Sequence, residues 1–176
     1  MSEPTLEDRF HLIGIGGAGM SVVAELLASR GATVEGSDRE DSAVLEHLRS
    51  VGVRVFVGHE ASYVDPASVV VVSTAIREDN PELAIARTRG QLVIHRSQAL
   101  ALAATGMRFV GVAGAHGKTS TSGMLAIALA ACGLDPSVAV GGVLPQLGTG
   151  AHLGGGDVFV AEADESDGSF LNYSPA

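Results

Sequence analysis

The stretch Gly114-Ala115-His116-Gly117-Lys118-Thr119-Ser120 constrains this chain more than any other. It follows an apolar run, Phe109 to Ala113, and opens a helix-like run, Thr119 to Ala131. A strand that passes through a Gly-rich turn into a helix is the setting a phosphate-binding loop needs. Glycines let backbone N–H groups converge on phosphate oxygens, and the helix N-terminus adds its dipole. The lysine neutralises the outer phosphates, and the hydroxyl after it can hold Mg²⁺. The sequence therefore predicts a nucleoside triphosphate site over Gly114 to Ser120. The strict G-x-x-x-x-G-K-[ST] pattern needs glycine at position 112, where Val112 stands. A turn carrying a surface lysine is the competing reading.

A second glycine loop lies near the N-terminus. His11-Leu12-Ile13 leads into Gly14-Ile15-Gly16-Gly17-Ala18-Gly19, and Gly14, Gly16 and Gly19 fit G-x-G-x-x-G. Met20 to Arg30 follows with apolar residues at helical spacing: Val23, Leu26 and Leu27. The next apolar segment, Ala32 to Gly36, ends at Ser37-Asp38. Asp38 stands where a dinucleotide-binding fold puts its ribose-binding acid. These residues predict a Rossmann-like nucleotide site. By themselves they leave open NAD, a UDP-sugar, and a tight strand–helix turn with no ligand.

Along the chain, short apolar segments alternate with helical ones. Strands are expected at 10–15, 32–37, 53–57, 69–74 and 91–94, and helices at 17–30, 42–51, 80–88 and 96–104. Val69 to Val72 is an unbroken β-branched run, the mark of a strand buried on both faces of a parallel sheet. This alternation predicts a doubly wound α/β domain. Near Ala104-Thr105-Gly106 the pattern restarts, with a strand at 107–113, a helix at 118–132, an apolar stretch at 137–140 and a strand at 157–161. Gly141-Gly142 and Gly148 to Gly156 read as a mobile Gly-rich connection.

Carboxylates crowd the end of the last strand. Asp157 to Ala161 runs into Glu162-Ala163-Asp164-Glu165-Ser166-Asp167. Acids at the carboxyl end of a parallel strand lie at the ligand edge of the sheet, and beside a phosphate loop they hold Mg²⁺. A solvated acidic turn is the alternative. His116 lies inside the phosphate loop, and His59 and His95 follow strands, but each could equally be a turn histidine. Nothing around His11, His47 or His152 raises them, and no His/Cys set has zinc spacing.

Composition excludes several functions. Twenty acids against eleven bases give a formal charge of −9 over 176 residues, and no basic stripe argues for nucleic acid. No apolar run approaches the ~20 residues of a membrane-spanning helix. The polar, acidic start argues against a signal peptide. The single cysteine, Cys132, is expected in the core. A soluble, cytoplasmic protein is the expectation.

Seven segments in register carry a resemblance to the Mur ligase family. They are His11 to Ser21, Gly36-Ser37-Asp38, Val57-Gly58-His59, Val69 to Ile76, Asp79 to Leu83, Gly114 to Thr121, and Ala161 to Asp167. Within the family the chain most resembles the ligases that add L-alanine to UDP-N-acetylmuramate in peptidoglycan precursor synthesis. The resemblance implies a Rossmann-like parallel-sheet domain over 1–105 that binds the UDP-sugar. Over 106–176 it implies the N-terminal part of a P-loop-type ATP-binding α/β domain. The chain would be a fragment, ending before most of the second domain and before the domain that binds the amino acid. Gly16, Gly17, Ala18, Gly19 and Met20 would face the UDP diphosphate. Asp38, His59 and the turn Ser73-Thr74-Ala75-Ile76 would line the uridine or diphosphate side. Gly114, Ala115, His116, Gly117, Lys118, Thr119 and Ser120 would bind ATP, with Lys118 catalytic on the outer phosphates. Thr119 and Glu162 would be Mg²⁺ ligands, with Asp164 and Glu165 as further candidates. The family loop usually has Thr where Ala115 stands, a loss of one hydroxyl that leaves the backbone cradle. The implied partners are UDP-N-acetylmuramate, L-alanine and ATP, with neither nucleic acid nor membrane.

Overall fold

The computed structural model describes residues 3–145 and 149–163. The chain divides into two compact units, Met1–Leu102 and Ala103–Ala176.

The first unit is a five-stranded sheet in the order β3-β2-β1-β4-β5. Its strands are β1 (Arg9–Ile13), β2 (Thr33–Asp38), β3 (Arg54–Val57), β4 (Val69–Val72) and β5 (Val93–His95). Every pairing is parallel. The helices α1 (Ala18–Ser29), α2 (Ala43–Ser50) and α3 (Pro81–Thr88) lie in three of the crossovers, a 3₁₀ turn at Ala61–Tyr63 lies in the fourth, between β3 and β4, and α4 (Arg96–Ala103) follows β5. Phe10, Leu12 and Ile13 of β1 and Val70 and Val71 of β4 are fully buried, as strands covered on both faces must be. Leu26 and Leu27 of α1 and Leu45 and Leu48 of α2 supply the covering layer. Local chemistry starts two of the helices. Ser42 accepts the Leu45 N–H at the head of α2. Asn80 accepts the N–H groups of Glu82 and Leu83 at the head of α3, with Pro81 as its first residue. The elements expected from the apolar periodicity are all present, with ends shifted by a residue or two.

The second unit holds β6 (Arg108–Val112), α5 (Lys118–Ala131), β7 (Ser137–Leu144), β8 (Thr149–His152) and β9 (Val158–Glu162). Their order is β6-β9-β7-β8. β6, β9 and β7 are parallel, and β8 runs antiparallel to β7. Two expectations are corrected here. Part of the Gly-rich connection is strand: Gly141-Gly142 lie inside β7 and Gly150 inside β8, which pairs antiparallel with it, the register shifts between Ala139 and Leu144, and Gly154 to Gly156 lie outside the strands. Glycine weakens strand propensity yet suits the shifted register, so ladder bonds and the buried Val138, Val140, Leu144 and Ala151 decide the matter. Cys132 is exposed at the C-cap of α5. That helix buries only Ser122, Gly123 and Ala126, and its last turn gains no cover among the described residues.

Among the described residues no helix is long and apolar enough to cross a membrane.

Candidate functional site

In the first unit the strand order reverses between β1 and β4, and the carboxyl ends of all five strands share one edge. A crevice outside the carboxyl ends at such a reversal is where open α/β sheets take ligands. Gly14 to Gly17 turns from β1 into α1 there. Ile76 Cδ1 lies 3.0 Å from the position a Cβ on Gly14 would take, so the Ser73–Ile76 turn after β4 packs over the glycine loop. Asp38 ends β2 and holds the same loop: its Oδ2 accepts the Gly16 N–H at 2.8 Å and its Oδ1 accepts the Arg39 N–H at 2.8 Å. Thus the acid expected at the ribose also braces the turn. Met20 has its side chain in the core, so it can serve a ligand only through its backbone. Ala18 begins α1, whose free N–H groups face the edge.

Three residues at this site were not singled out by sequence. Arg96 opens α4 directly after β5, and its Nη1 occupies the space a side chain on Gly19 would need. The glycine there admits a guanidinium beside the helix N-terminus, which suits an anion. The second and third are His11 and Glu82. His11 lies fully buried in β1, opposite Glu35 of β2 in register. Its Nε2 is 2.7 Å from Glu82 Oε2, and its Nδ1 is 3.5 Å from Glu35 Oε1, an ion pair without a hydrogen bond. Burial opposes a charge on the imidazole, but the two carboxylates outweigh it and hold His11 above its ordinary pKa. Burial likewise works against the Glu82 carboxylate. The hydrogen bonds from His11 and Ser37, the His11 charge and the hydrogen bond from His59 outweigh it and keep Glu82 below the usual range. The only signal in the sequence was a histidine inside a strand whose neighbours are all apolar. Such a residue is buried with a partner or the strand does not form.

In the second unit the phosphate loop joins β6 to α5. Gly117 caps α5 at φ +79°, a left-handed conformation that strains any L side chain. Lys118 is the first residue of the helix, and its ammonium donates to the Gly114 carbonyl at 2.8 Å. Ala115, His116 and Ser120 are exposed. Val112 and Glu162 are register partners, so the loop and the acid share one edge. Thr119 and Glu162 both approach the Gly-Gly pair of β7. Glu162 Oε2 is 3.5 Å from a Cβ position on Gly141, and Thr119 Cγ2 is 3.1 Å from that on Gly142. Among the described residues Glu162 Oε1 is buried without a hydrogen-bond partner. A carboxylate oxygen and a threonine hydroxyl at one sheet edge are hard oxygen donors, the kind Mg²⁺ prefers. The set fits the ion, although no group of three or more His, Cys, Asp or Glu among the described residues is arranged to hold a metal ion. Mg²⁺ on one or two protein oxygens plus phosphates needs no such group. Asp164 and Glu165 lie outside the described residues.

Comparison with known proteins agrees with this geometry. Residues 9–108 match the Mur ligase family, catalytic domain. UDP-N-acetylmuramate–L-alanine ligase of Renibacterium salmoninarum is 56% identical over 167 residues, covering 95% of this chain and 36% of that protein. The structure of UDP-N-acetylmuramate-alanine ligase from Thermotoga maritima superposes with a TM-score of 0.85 at 33% identity, over 96% of this chain and 40% of that one. The structure of UDP-N-acetylmuramate:L-alanyl-gamma-D-glutamyl-meso-diaminopimelate ligase from Neisseria meningitides gives a TM-score of 0.88 at 30% identity, over 96% and 58%. The chain therefore spans a little over a third of the length of the curated relatives it matches. With the family match covering more than half of its residues, the chain belongs to the Mur ligase family.

Proposed function

We propose that this chain supplies the UDP-sugar-binding region and part of the ATP-binding region of a ligase that joins L-alanine to UDP-N-acetylmuramate. Residues 1–105 take the nucleotide sugar. Gly16 to Met20 and Arg96 meet the diphosphate, and Asp38, His59 and Ser73 to Ile76 line the rest. Residues 106–176 take ATP through the backbone of Gly114 to Ser120. The observation that carries the reading is that the Gly114–Ser120 loop and Glu162, whose Oε1 is buried without a partner among the described residues, share one sheet edge. An NAD-binding oxidoreductase would leave that second edge without a role.

The chemistry follows from the leaving group. A carboxylate is a poor acyl donor because oxide leaves badly. Transfer of the ATP γ-phosphoryl group to the lactyl carboxylate gives an acyl phosphate and ADP. The amine of L-alanine then attacks the acyl carbon, phosphate leaves, and the ammonium proton passes to solvent or base. The protein mainly positions charged groups and neutralises phosphate charge. Lys118, freed from the Gly114 carbonyl, swings its ammonium onto the outer phosphates. Thr119 and Glu162 would hold Mg²⁺, which supplies charge neutralisation at the same oxygens. Gly117 and the first N–H groups of α5 orient the phosphate chain.

The Neisseria structure favours a second reading, a ligase that attaches a peptide to the same sugar. In the full-length protein, release of ADP that requires both UDP-N-acetylmuramate and L-alanine supports the first reading. Release with the tripeptide and not with alanine supports the second. Lys118→Ala is expected to abolish release in either case and to leave UDP-sugar binding near wild type. Loss of both bindings in a folded variant overturns the two-site assignment. The 176-residue chain by itself is expected to bind UDP-N-acetylmuramate, to bind ATP weakly and to show no turnover, all measurable by calorimetry.

A further inference from the structure

The buried carboxylate of Glu82 reaches the ligand edge through His59. Glu82 is fully buried in the first turn of α3. Its Oε2 takes the His11 Nε2 at 2.7 Å and the Ser37 hydroxyl at 2.7 Å, and its Oε1 is 3.0 Å from His59 Nδ1. An ionised carboxylate only accepts hydrogen bonds, so all three partners must donate. The single hydroxyl hydrogen of Ser37 is thereby committed to Glu82. Ser37 Oγ also lies 3.0 Å from His59 Nδ1, so it must accept there. Two acceptors share one Nδ1–H, and a neutral His59 is confined to that tautomer. Its Nε2 is left with a lone pair and has no partner among the described residues, on a side chain 24% exposed where β3 ends. Charge balance does not require a second proton on His59. The charge of Glu82 is met by His11, and that of Glu35 by Arg9 and Arg54 at 3.9 and 4.0 Å.

We infer that Glu82 is a positioning residue: it fixes His59 as the Nδ1–H tautomer and so presents Nε2 as a hydrogen-bond acceptor to an N–H or O–H donor of the bound nucleotide. This rests on the nucleotide reading of the edge. In a uridine nucleotide the available donors are the ribose hydroxyls and the imide N–H of the base. The network also explains why the polar residues are buried. Ser37 and Glu82 both hold His59 Nδ1, and each is fully buried.

The test uses the 176-residue chain with ¹⁵N-labelled histidine, the His59 signals being assigned by their loss in His59→Gln. In the neutral ring, His59 Nδ1 is expected to be protonated and Nε2 bare. Glu82→Gln keeps only one carbonyl oxygen and turns an amide toward Nδ1, so the tautomer should invert. UDP affinity should fall about tenfold, as in His59→Ala, and the double variant should be no worse than either single one. Ser37→Ala, a milder change that leaves Glu82 in place, should keep the tautomer and most of the affinity. Three further probes identify the donor. If it is a ribose hydroxyl, 2′-deoxy-UDP or 3′-deoxy-UDP loses the effect of Glu82→Gln, and if it is the imide, N3-methyl-UDP does. A wild-type His59 protonated on Nε2 alone, or additive losses in the double variant, overturns the positioning role. Equal losses for UDP and all three analogues overturn the acceptor role. Failure of the wild-type chain to bind UDP overturns the nucleotide reading of the edge, and the tautomer measurement still decides the role of Glu82.

Discussion

The two units of this chain use the same βα design and solve burial differently. The first closes over itself. Its five parallel strands are sheathed by four helices, and among the described residues its exposed large apolar side chains are the scattered Val44, Val51 and Val57. The second, though smaller, exposes Val110, Met124, Ile127, Leu134 and Val143, with Met124 65% and Val143 69% accessible. Beside α5 an open apolar groove of about 220 Å³ runs along Ala126, Ile127, Ala130, Val138 and Leu144. The difference is also chemical. The first unit can bury a charged network because enough apolar structure surrounds it to fix every partner in place. The second leaves a carboxylate oxygen of Glu162 without a partner among the described residues, at the carboxyl end of β9. Completeness of the core decides which polar groups a unit can keep for structure and which it leaves for ligands.

Core truncations should separate the units most strongly. Leu27→Ala, in a fully enclosed position, is expected to cost the first unit near the upper end of the 2–5 kcal/mol range for such changes. Leu144→Ala, beside the open groove, should sit near the lower end, because water can enter the space. Hydrogen exchange read by mass spectrometry follows each unit separately, and equal costs would erase the distinction. Glu82→Ala comes next. It strands a buried imidazolium and a hydroxyl, so a loss of about 3 kcal/mol is expected in the first unit, with the exchange of the second unchanged.

The pH response sharpens the same contrast. His11 is raised from 6.5, so its contribution is complete below about pH 6.5 and lost as pH climbs through the raised value. Glu82 is lowered from 4.5, so its contribution is complete above about pH 4.5 and lost as pH falls through the lowered value. The first unit should therefore be most stable between those limits. His11→Gln should remove the alkaline decline while leaving the second unit's profile as it was. A denaturation series across pH that shows the same decline in the variant would count against the buried imidazolium. At the binding edge, Arg96→Ala should weaken UDP about tenfold and leave ATP binding unchanged, by calorimetry. The smallest effect is expected from Met124→Ser, within about 0.5 kcal/mol of wild type by thermal denaturation, since the side chain is already in water.

Much of this protein was written locally. Apolar periodicity located every strand and helix of the first unit, and Val69 to Val72 announced a strand covered on both sides. Both glycine loops, the acid Asp38 and the strand-end Glu162 could be read because each depends on a neighbour close in sequence: a turn, a helix start, a strand terminus. The hairpin of β7 and β8 could not, since its glycines weaken any local preference and its stability comes from pairing across the sheet. Cys132 was expected inside because helical pattern counts apolar residues without knowing where the cover ends. The network of His11, Glu35, Ser37, His59 and Glu82 joins two strands, the loop after β3 and a helix across 71 positions of chain between His11 and Glu82. No local rule relates those residues. Only the parallel register that sets His11 opposite Glu35 and Ile13 opposite Ser37, with α3 laid across them, brings the charges within reach. The sequence by itself determined the two-loop α/β architecture, because hydrophobic period and turn chemistry act over a few residues. The tertiary structure decided which histidine lies between two carboxylates, which nitrogen of His59 meets Glu82 and which carboxylate oxygen is left without a partner among the described residues, because electrostatics in a dry interior act through space.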